Sequence, residues 1–325
     1  MINQDSNLKI SVAMATYNGE RYLRQQLDSV LGQTHGNFEL VVCDDCSTDS
    51  TMSILHEYAA KDSRLRYYRN EANIGYRKNF ERAINLSLSD YIALCDQDDI
   101  WLEDHLDTLL TTIGDKQLSC GKYLYIDEDG NPLVNADGSY ADFIMKKYAD
   151  NDHERLEYLV YNRPFLQGAS MLIRKSLVPI IFPLPGTMSH DAWIADICSA
   201  KCSFVFADRV ITLHRQHSNN ATGNKCYVTP NVVTILNEIP DRKTKSGRES
   251  RYEQCCELLK RLPDMDKKNR KTIVTAQKFY RRTDRLFFRL LYTPLFLVKI
   301  RDGRNRKPRW IWTLLRLAHF WVYYK

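Results

Sequence analysis

The sequence has no run long and apolar enough to cross a membrane. Its first apolar stretch, Ile10 to Ala15, is too short for the core of a secretory signal and follows a polar Met1 to Lys9. Two aromatic-rich segments, Leu286 to Val298 and Trp310 to Tyr324, fall short of the ~20 residues a spanning helix needs and carry Arg289, Arg316 and His319. A cytoplasmic protein is therefore expected. A disulfide framework is also missing: nine cysteines are an odd number at spacings unlike those of a small secreted domain, so reduced thiols are expected. Cys43 and Cys46 form one CxxC, but no second pair completes a zinc site, and Asp44 and Asp45 between them oppose thiolate formation. Where a nucleotidyltransferase would carry a Gly-rich loop with basic residues stands Thr16-Tyr17-Asn18-Gly19-Glu20. An aspartyl phosphatase would place its DxD at the first strand end, and here the acidic string follows about three strand–helix units.

What is present suits one large α/β domain with an appendage: 325 residues, 44% hydrophobic and 26% charged. The net charge of +6 is unevenly spread. Residues 267–325 hold 17 Lys or Arg against Asp284 and Asp302, a local +15 that leaves −9 on the rest. A basic tail on an acidic body points to an anionic partner surface. Lys299 to Arg309 is a basic loop between the two aromatic segments, which fits in-plane docking on an anionic membrane, with Trp310, Trp312, Trp321, Tyr323 and Tyr324 at headgroup depth. Packing of these helices on the body or on a second subunit, as in a homodimer, is the competing reading. No nucleic-acid-binding module accompanies the charge, so nucleic acid is not the expected partner.

Strand-like runs at Lys9 to Met14, Phe38 to Cys43, Leu65 to Arg69 and Asp90 to Cys95 alternate with helical patterns over Glu20 to Leu31, Ser50 to Lys61 and Arg77 to Leu88. That alternation predicts a parallel sheet wound on both faces. Further on come a helix from Glu103 to Ile113, a strand from Leu118 to Ile126, a variable helical stretch over 141–162, strands at Phe165 to Ile173 and Phe204 to Leu213, and a helix from Ala192 to Ala200. From about Thr244 the pattern is helical, with a stripe of Tyr252, Cys255, Cys256, Leu258, Leu259 and Leu262 that reads as packing. The division expected is a body of residues 1–240 and an extension of 241–325.

Ligands of such sheets sit beyond the carboxyl ends of the strands. Those ends are Thr16-Tyr17-Asn18-Gly19, then Asp44-Asp45, then Asp96-Gln97-Asp98-Asp99. Acidic groups converging there would repel one another unless a hard cation such as Mg²⁺ or Mn²⁺ stood between them. Asp is also favoured in turns and at helix N-caps, which is the alternative for any single one.

The ordered set Ser11 to Gly19, Leu27 to Thr34, Asp44-Asp45-Cys46-Ser47-Thr48-Asp49, Asn73-Ile74-Gly75 and Asp96-Gln97-Asp98-Asp99 resembles the nucleotide-binding half of family-2 glycosyltransferases of the GT-A fold. The likeness covers roughly residues 9–222. Tyr17-Asn18-Gly19, Asp96 to Trp101 and His214-Arg215-Gln216-His217-Ser218-Asn219-Asn220 are similar to its rhamnosyltransferase-like bacterial branch, which builds cell-surface polysaccharides. The resemblance implies a Rossmann-like nucleotide-binding sheet with an acceptor-binding half and a C-terminal helical, membrane-associating extension. It implies sugar transfer, with inversion, from a UDP- or dTDP-sugar to a glycan or lipid-linked acceptor at the inner membrane face. A non-catalytic nucleotide-sugar-binding or scaffold protein is the rival, which the retained Asp45, Asp96, Asp98 and Asp191 oppose.

The roles implied follow the motifs. Ala15, Thr16, Tyr17 and Asp45 hold the pyrimidine base, Asp96 and Gln97 flank the ribose or the metal shell, and Asp98 binds Mn²⁺ or Mg²⁺ directly. Asn73, Gly75, Arg77 and Lys78 lie beside the donor, where a cation could offset phosphate charge, although Arg77 and Lys78 can equally be solvated first-turn residues. Asp191 is the expected base for the acceptor hydroxyl, with an N-cap role as the alternative; His190, Trp193, Gln167 and Gly168 border the sugar and acceptor. His217 is expected to complete the metal or diphosphate site, with His214 as its competitor.

Overall fold

The computed structural model describes residues 8–133, 151–161, 166–186, 188–217 and 245–282. The Leu286–Tyr324 tail and residues 134–150 lie outside these ranges. So do the expectations placed on them: membrane docking for the tail, and residues 141–150 of the variable helical stretch.

Seven-residue strands β1 (Ile10–Thr16) and β2 (Phe38–Asp44) run side by side and parallel, with Ile10 opposite Phe38 and Thr16 opposite Asp44. All of β2 is buried, as strands covered on both faces are. Parallel partners flank them: β3 (Leu65–Arg69) beyond β2, and β4 (Tyr91–Cys95) beyond β1. After β4 the direction changes. β7 (Met171–Arg174) pairs antiparallel with β4, β6 (Leu118–Ile126) antiparallel with β7, β8 (Phe204–Arg215) parallel with β6, and the two-residue β5 (Ile100–Trp101) antiparallel with β8. The order β3-β2-β1-β4-β7-β6-β8-β5 is thus a parallel half, as the strand–helix alternation before Trp101 predicted, joined to a mixed half.

Side chains alternate across the sheet and build two cores. Ile10, Val12, Met14, Ala93 and Cys95 meet Leu23, Leu27 and Val30 of α1 (Leu23–Leu31), Ile54 and Leu55 of α2 (Thr51–Lys61) and the apolar side of α4 (His105–Ile113). On the other face Ala13, Ile92 and Leu94 meet Ala83 and Ile84 of α3 (Tyr76–Leu86), α5 (Asp152–Tyr161) and α7 (His190–Ala200). The last two described helices, α8 (Lys245–Arg261) and α9 (Lys267–Arg282), join this second core through Cys255, Leu258, Leu262, Ile273, Ala276 and Tyr280. Asp266 caps α9 by accepting from the N–H groups of Lys268 and Asn269, and the Tyr280 hydroxyl donates to the Val160 carbonyl of α5 at 3.0 Å. The stripe read from Tyr252 to Leu262 therefore packs against protein.

Two local expectations are corrected. The run Phe165 to Ile173 is not one strand: Gly168–Ser170 form a buried 3-10 turn, with the Ser170 hydroxyl donating to Thr212 at 2.9 Å, and β7 starts only at Met171. The helix expected from Ala192 begins at His190 behind Ser189, so Asp191 lies in its first turn rather than at the cap. Among the described residues no helix is long and apolar enough to cross a membrane. Short α6 (Val178–Ile181) lies between β7 and α7.

Candidate functional site

The carboxyl ends of β1, β2 and β4 bring the predicted loops together. Around β1 and β2 the acidic side chains are saturated with donors. Asp44, fully buried, accepts the Ser47 N–H at 2.9 Å, the Ser47 hydroxyl, and the Thr16 hydroxyl at 3.2 Å. Asp45 accepts three bonds: from Asn70 Nδ2 at 2.7 Å and from the N–H groups of Ile74 and Gly75, both at 2.8 Å. A carboxylate has roughly four acceptor positions, so Asp45 keeps about one for anything else. Gly75 ends this loop at φ +84°, a left-handed conformation that glycine alone adopts freely, and its N–H also meets Asn73 Oδ1 at 3.1 Å.

The next loop is sewn to these. The Asn18 N–H donates to Ser47, the Gly19 N–H to Thr51 and the Glu20 N–H to Asp49, at 2.8–3.0 Å, and Asn18 Oδ1 accepts the Thr48 N–H. Gln97 locks the loop from β4 through a two-way amide clamp on Tyr17, accepting its N–H at 2.9 Å and donating to its carbonyl at 3.1 Å. The same amide lies directly on Gly19, where any Cβ would collide with it. Half-buried Ala15 and buried Thr16 form the wall, and the Tyr17 ring is exposed at the mouth, as are Ile74 and Tyr76.

Beyond β4 the acidic groups are crowded instead of saturated. Asp96 is held well above the usual carboxylate range, first by burial and then by the charges of Asp99 and Asp98, with His214 opposing. Its one described side-chain partner is Gln167 Nε2 at a long 3.5 Å, a nitrogen that also meets His214 Nδ1 at 3.1 Å. Asp98 Oδ2 faces His217 Nε2 at 2.9 Å. Asp99 Oδ1 faces His214 Nδ1 at 2.8 Å and accepts the Arg215 N–H at 3.0 Å, while its Oδ2 has no partner among the described residues. The two histidines thus divide the pair, His217 on Asp98 and His214 on Asp99. Burial would lower the His214 pKa, but Asp99 with Asp98 and Asp96 outweighs it and holds the ring above its ordinary value. Buried Arg215 ties β8 to this floor, donating to the Asp98 carbonyl at 2.8 Å, to the Glu128 carbonyl at 2.9 Å and to Gln25 at 2.5 Å. Sequence reading named Asp99 and Arg215 within their motifs but gave neither a role; the partners of Arg215 lie as much as 190 residues away.

A divalent cation fits the chemistry of this floor. Carboxylates crowded until one is pushed toward the neutral form, with a histidine on Asp98, are a donor set whose mutual repulsion a cation would relieve. Among the described residues no three His, Cys, Asp or Glu side chains cage an ion unaided, so ligand oxygens would have to complete the shell.

The base candidate stands on the neighbouring wall. Asp191, on the first turn of α7, accepts its neighbour Ala192 N–H at 2.7 Å, and its charge reaches Asp96. Gly168 makes the junction: a Cβ there would lie 2.8 Å from His190 Nε2 and 3.5 Å from Asp191 Cβ. His190 is buried, stacked on Phe80 at 4.0 Å, with neither ring nitrogen partnered among the described residues. Burial lowers its pKa, with Asp191 partly offsetting the effect.

Two expected site residues lie elsewhere. Trp193 is fully buried, its indole N–H donating to the Ile181 carbonyl at 2.9 Å with Arg261 over its ring, so it is core rather than acceptor wall. Lys78 lines an outer groove of about 450 Å³ on α3 with Glu81, Arg82, Asn85 and Leu86, away from the acidic floor. Arg77, half-buried, is not turned to the floor; its guanidinium holds the backbone of residues 184–186.

Comparison with known proteins gives the family and the fold. Residues 11–181, more than half of the chain, match the family model described as Glycosyl transferase family 2. The Escherichia coli UDP-Glc:alpha-D-GlcNAc-diphosphoundecaprenol beta-1,3-glucosyltransferase WfgD is 26% identical over 66% of this chain and 80% of its own length. The chain spans about half the length, or less, of several other curated relatives, 50% in one case and 35% in another. Two solved structures share the fold. Staphylococcus aureus TarS 1-349 in complex with UDP-GlcNAc has a TM-score of 0.54 at 18% identity, over 94% of this chain and 80% of that one. The mannosyltransferase PcManGT of Pyrobaculum calidifontis, in complex with GDP-Man and Mn2+, has a TM-score of 0.51 at 15% identity, over 96% and 80%. With its nucleotide-binding half, its acidic floor and this match in hand, the chain belongs to glycosyl transferase family 2.

Proposed function

We propose that the protein transfers a sugar, with inversion, from a pyrimidine nucleoside-diphosphate sugar to a hydroxyl of a glycan or lipid-linked acceptor in cell-surface polysaccharide synthesis. The observation that carries this is the crowded floor of Asp96, Asp98 and Asp99, set at one end of a wall that leads through Gln167 and Gly168 to Asp191. UDP is the favoured nucleotide: WfgD uses UDP-Glc and TarS binds UDP-GlcNAc. The alternative donor is a dTDP-sugar such as dTDP-rhamnose. WfgD also supports a lipid-linked acceptor, its own being a diphosphoundecaprenol sugar.

In this reading the Ala15 to Tyr17 wall and the last acceptor position of Asp45 receive the base, which offers an N–H at its position 3 in uracil and thymine alike. Asp98 and His217 would hold Mn²⁺ or Mg²⁺, with Asp96 beside them. A bound divalent ion would supply Lewis-acid stabilisation of the departing diphosphate. Asp191 accepts the acceptor proton as its oxygen attacks the anomeric carbon and the bond from that carbon to the diphosphate breaks, in the corner that Gly168 and His190 form beside it. The basic tail would seat the enzyme on the inner membrane face or in a dimer.

The test is release of nucleoside diphosphate from a panel of UDP- and dTDP-sugars by the full chain, with Mn²⁺ or with chelator, alongside Asp191→Asn. Metal-dependent release from one donor class, with transfer to acceptor lost in the variant, is the expected result. Full activity of Asp191→Asn would remove the base from the scheme, and release in chelator would remove the metal.

A further inference from the structure

Arg77 stands at the start of α3, two residues after Gly75, in a position that suggests a cation for the donor diphosphate. Its contacts point elsewhere. One guanidinium nitrogen donates to the Gly186 carbonyl, and the other to the carbonyls of Leu184 at 3.3 Å and Pro185 at 3.2 Å. A single planar fork therefore gathers three consecutive carbonyls of the segment that leads into α7. From the other side the Glu253 carboxylate of α8 packs on Gly186, which sits at φ +42° and leaves no room for a Cβ. Past this segment Ser189 stands just ahead of α7, and Asp191 is two residues on. In the opposite direction Ile74 and Gly75 are fixed by Asp45. Contacts thus run from the loop at Ile74 and Gly75, through Arg77, to the carbonyls of residues 184–186, and the Met188 N–H donates to the Pro185 carbonyl at 3.2 Å just ahead of the helix that bears Asp191.

We infer that Arg77 is a positioning residue that sets Asp191 against the donor loop, and not a ligand of the diphosphate. The inference rests on the reading of Asp191 as base. A guanidinium suits the task because its donors diverge in a fixed plane, whereas a lysine ammonium is a point charge on a flexible stem and cannot gather three carbonyls in one geometry. Reacting groups tolerate little displacement, and a shift of about 1 Å can cost on the order of 100-fold in rate.

The experiment compares Arg77→Lys and Arg77→Gln with the unaltered full chain in three measurements: turnover of a UDP-sugar, UDP affinity by calorimetry, and hydrogen exchange of the amides of residues 184–193. The inference predicts that both variants lose kcat by about 10- to 100-fold, keep the UDP dissociation constant, and exchange faster over 184–193. If the Gln variant does not fold, the Lys variant carries the test alone. UDP binding weakened in Arg77→Gln and restored in Arg77→Lys would make the residue a phosphate ligand and overturn the inference. So would unchanged kcat with unchanged exchange. Asp191→Asn is run in parallel: undiminished turnover there defeats the reading of the base, whereas the exchange over 184–193 still reports whether Arg77 braces the segment.

Discussion

Two acidic clusters stand at the ends of β2 and β4, with β1 between them, and they are built in opposite ways. At β2, Asp44 and Asp45 receive backbone N–H groups, hydroxyls and an amide until almost no acceptor position is left. At β4, Asp96 has one long contact, Asp98 leans on a histidine, and Asp99 keeps an orphaned oxygen. The first cluster holds loops in place. The second is crowded, with burial and the charges of Asp99 and Asp98 pushing Asp96 toward its neutral form, a stress that a bound cation would relieve. An aspartate at a strand end therefore takes its role from the donors that the fold delivers to it, not from its position alone.

Substitutions should separate the two clusters. The largest effect is expected for Asp98→Asn, which should cut donor turnover by about 100-fold or more, as loss of a preorganised charge-stabilising group does. The ligand-free melting temperature should not fall, because a like charge has left a crowded floor. Asp45→Ala should behave in the reverse sense: it strands buried donors and should lower unfolding stability by about 3 kcal/mol in a denaturant titration.

Asp196 on α7 is an intermediate case, a buried carboxyl with Gln254 as its described donor and Arg251 near. Burial raises its pKa to about 7, against the effects of Arg251 and Gln254. The folded protein thus keeps a proton that the unfolded chain has released, so stability falls as pH rises from the ordinary carboxylate range and levels off above about 7. The slope is at most about 1.4 kcal/mol per pH unit, and Asp196→Asn should flatten it when thermal unfolding is followed from pH 5 to 8. The smallest effect is expected for Gly168→Ala, which pushes a methyl at the His190 ring and should cost about 1 kcal/mol by the same unfolding measurement.

The parallel half of the fold was legible because its strands are short apolar runs closed by turn residues. β3 at Leu65–Arg69 and β6 at Leu118–Ile126 have the bounds that the pattern gives. Phe165 to Ile173 misled because apolar letters do not reveal that Gly168 must let His190 close in and that Ser170 must reach Thr212. Trp193 misled for a geometric reason: two residues beyond Asp191 on a helix is about 200° around the axis, which turns it into the core. Convergence of the three strand-end loops, two of them acidic, followed from the rule for strand ends. Their division into saturated and crowded clusters did not, since Asn70, Ile74, His214 and Arg215 come from distant segments.

The most direct test of the account is calorimetric titration of UDP into the full chain and into Asp98→Asn, each with Mn²⁺ and with chelator. The account predicts tight binding only for the unaltered protein with metal, and a variant whose weak binding is indifferent to metal. Equal binding by both proteins in all conditions would contradict it, and the crowded floor would then be no nucleotide site.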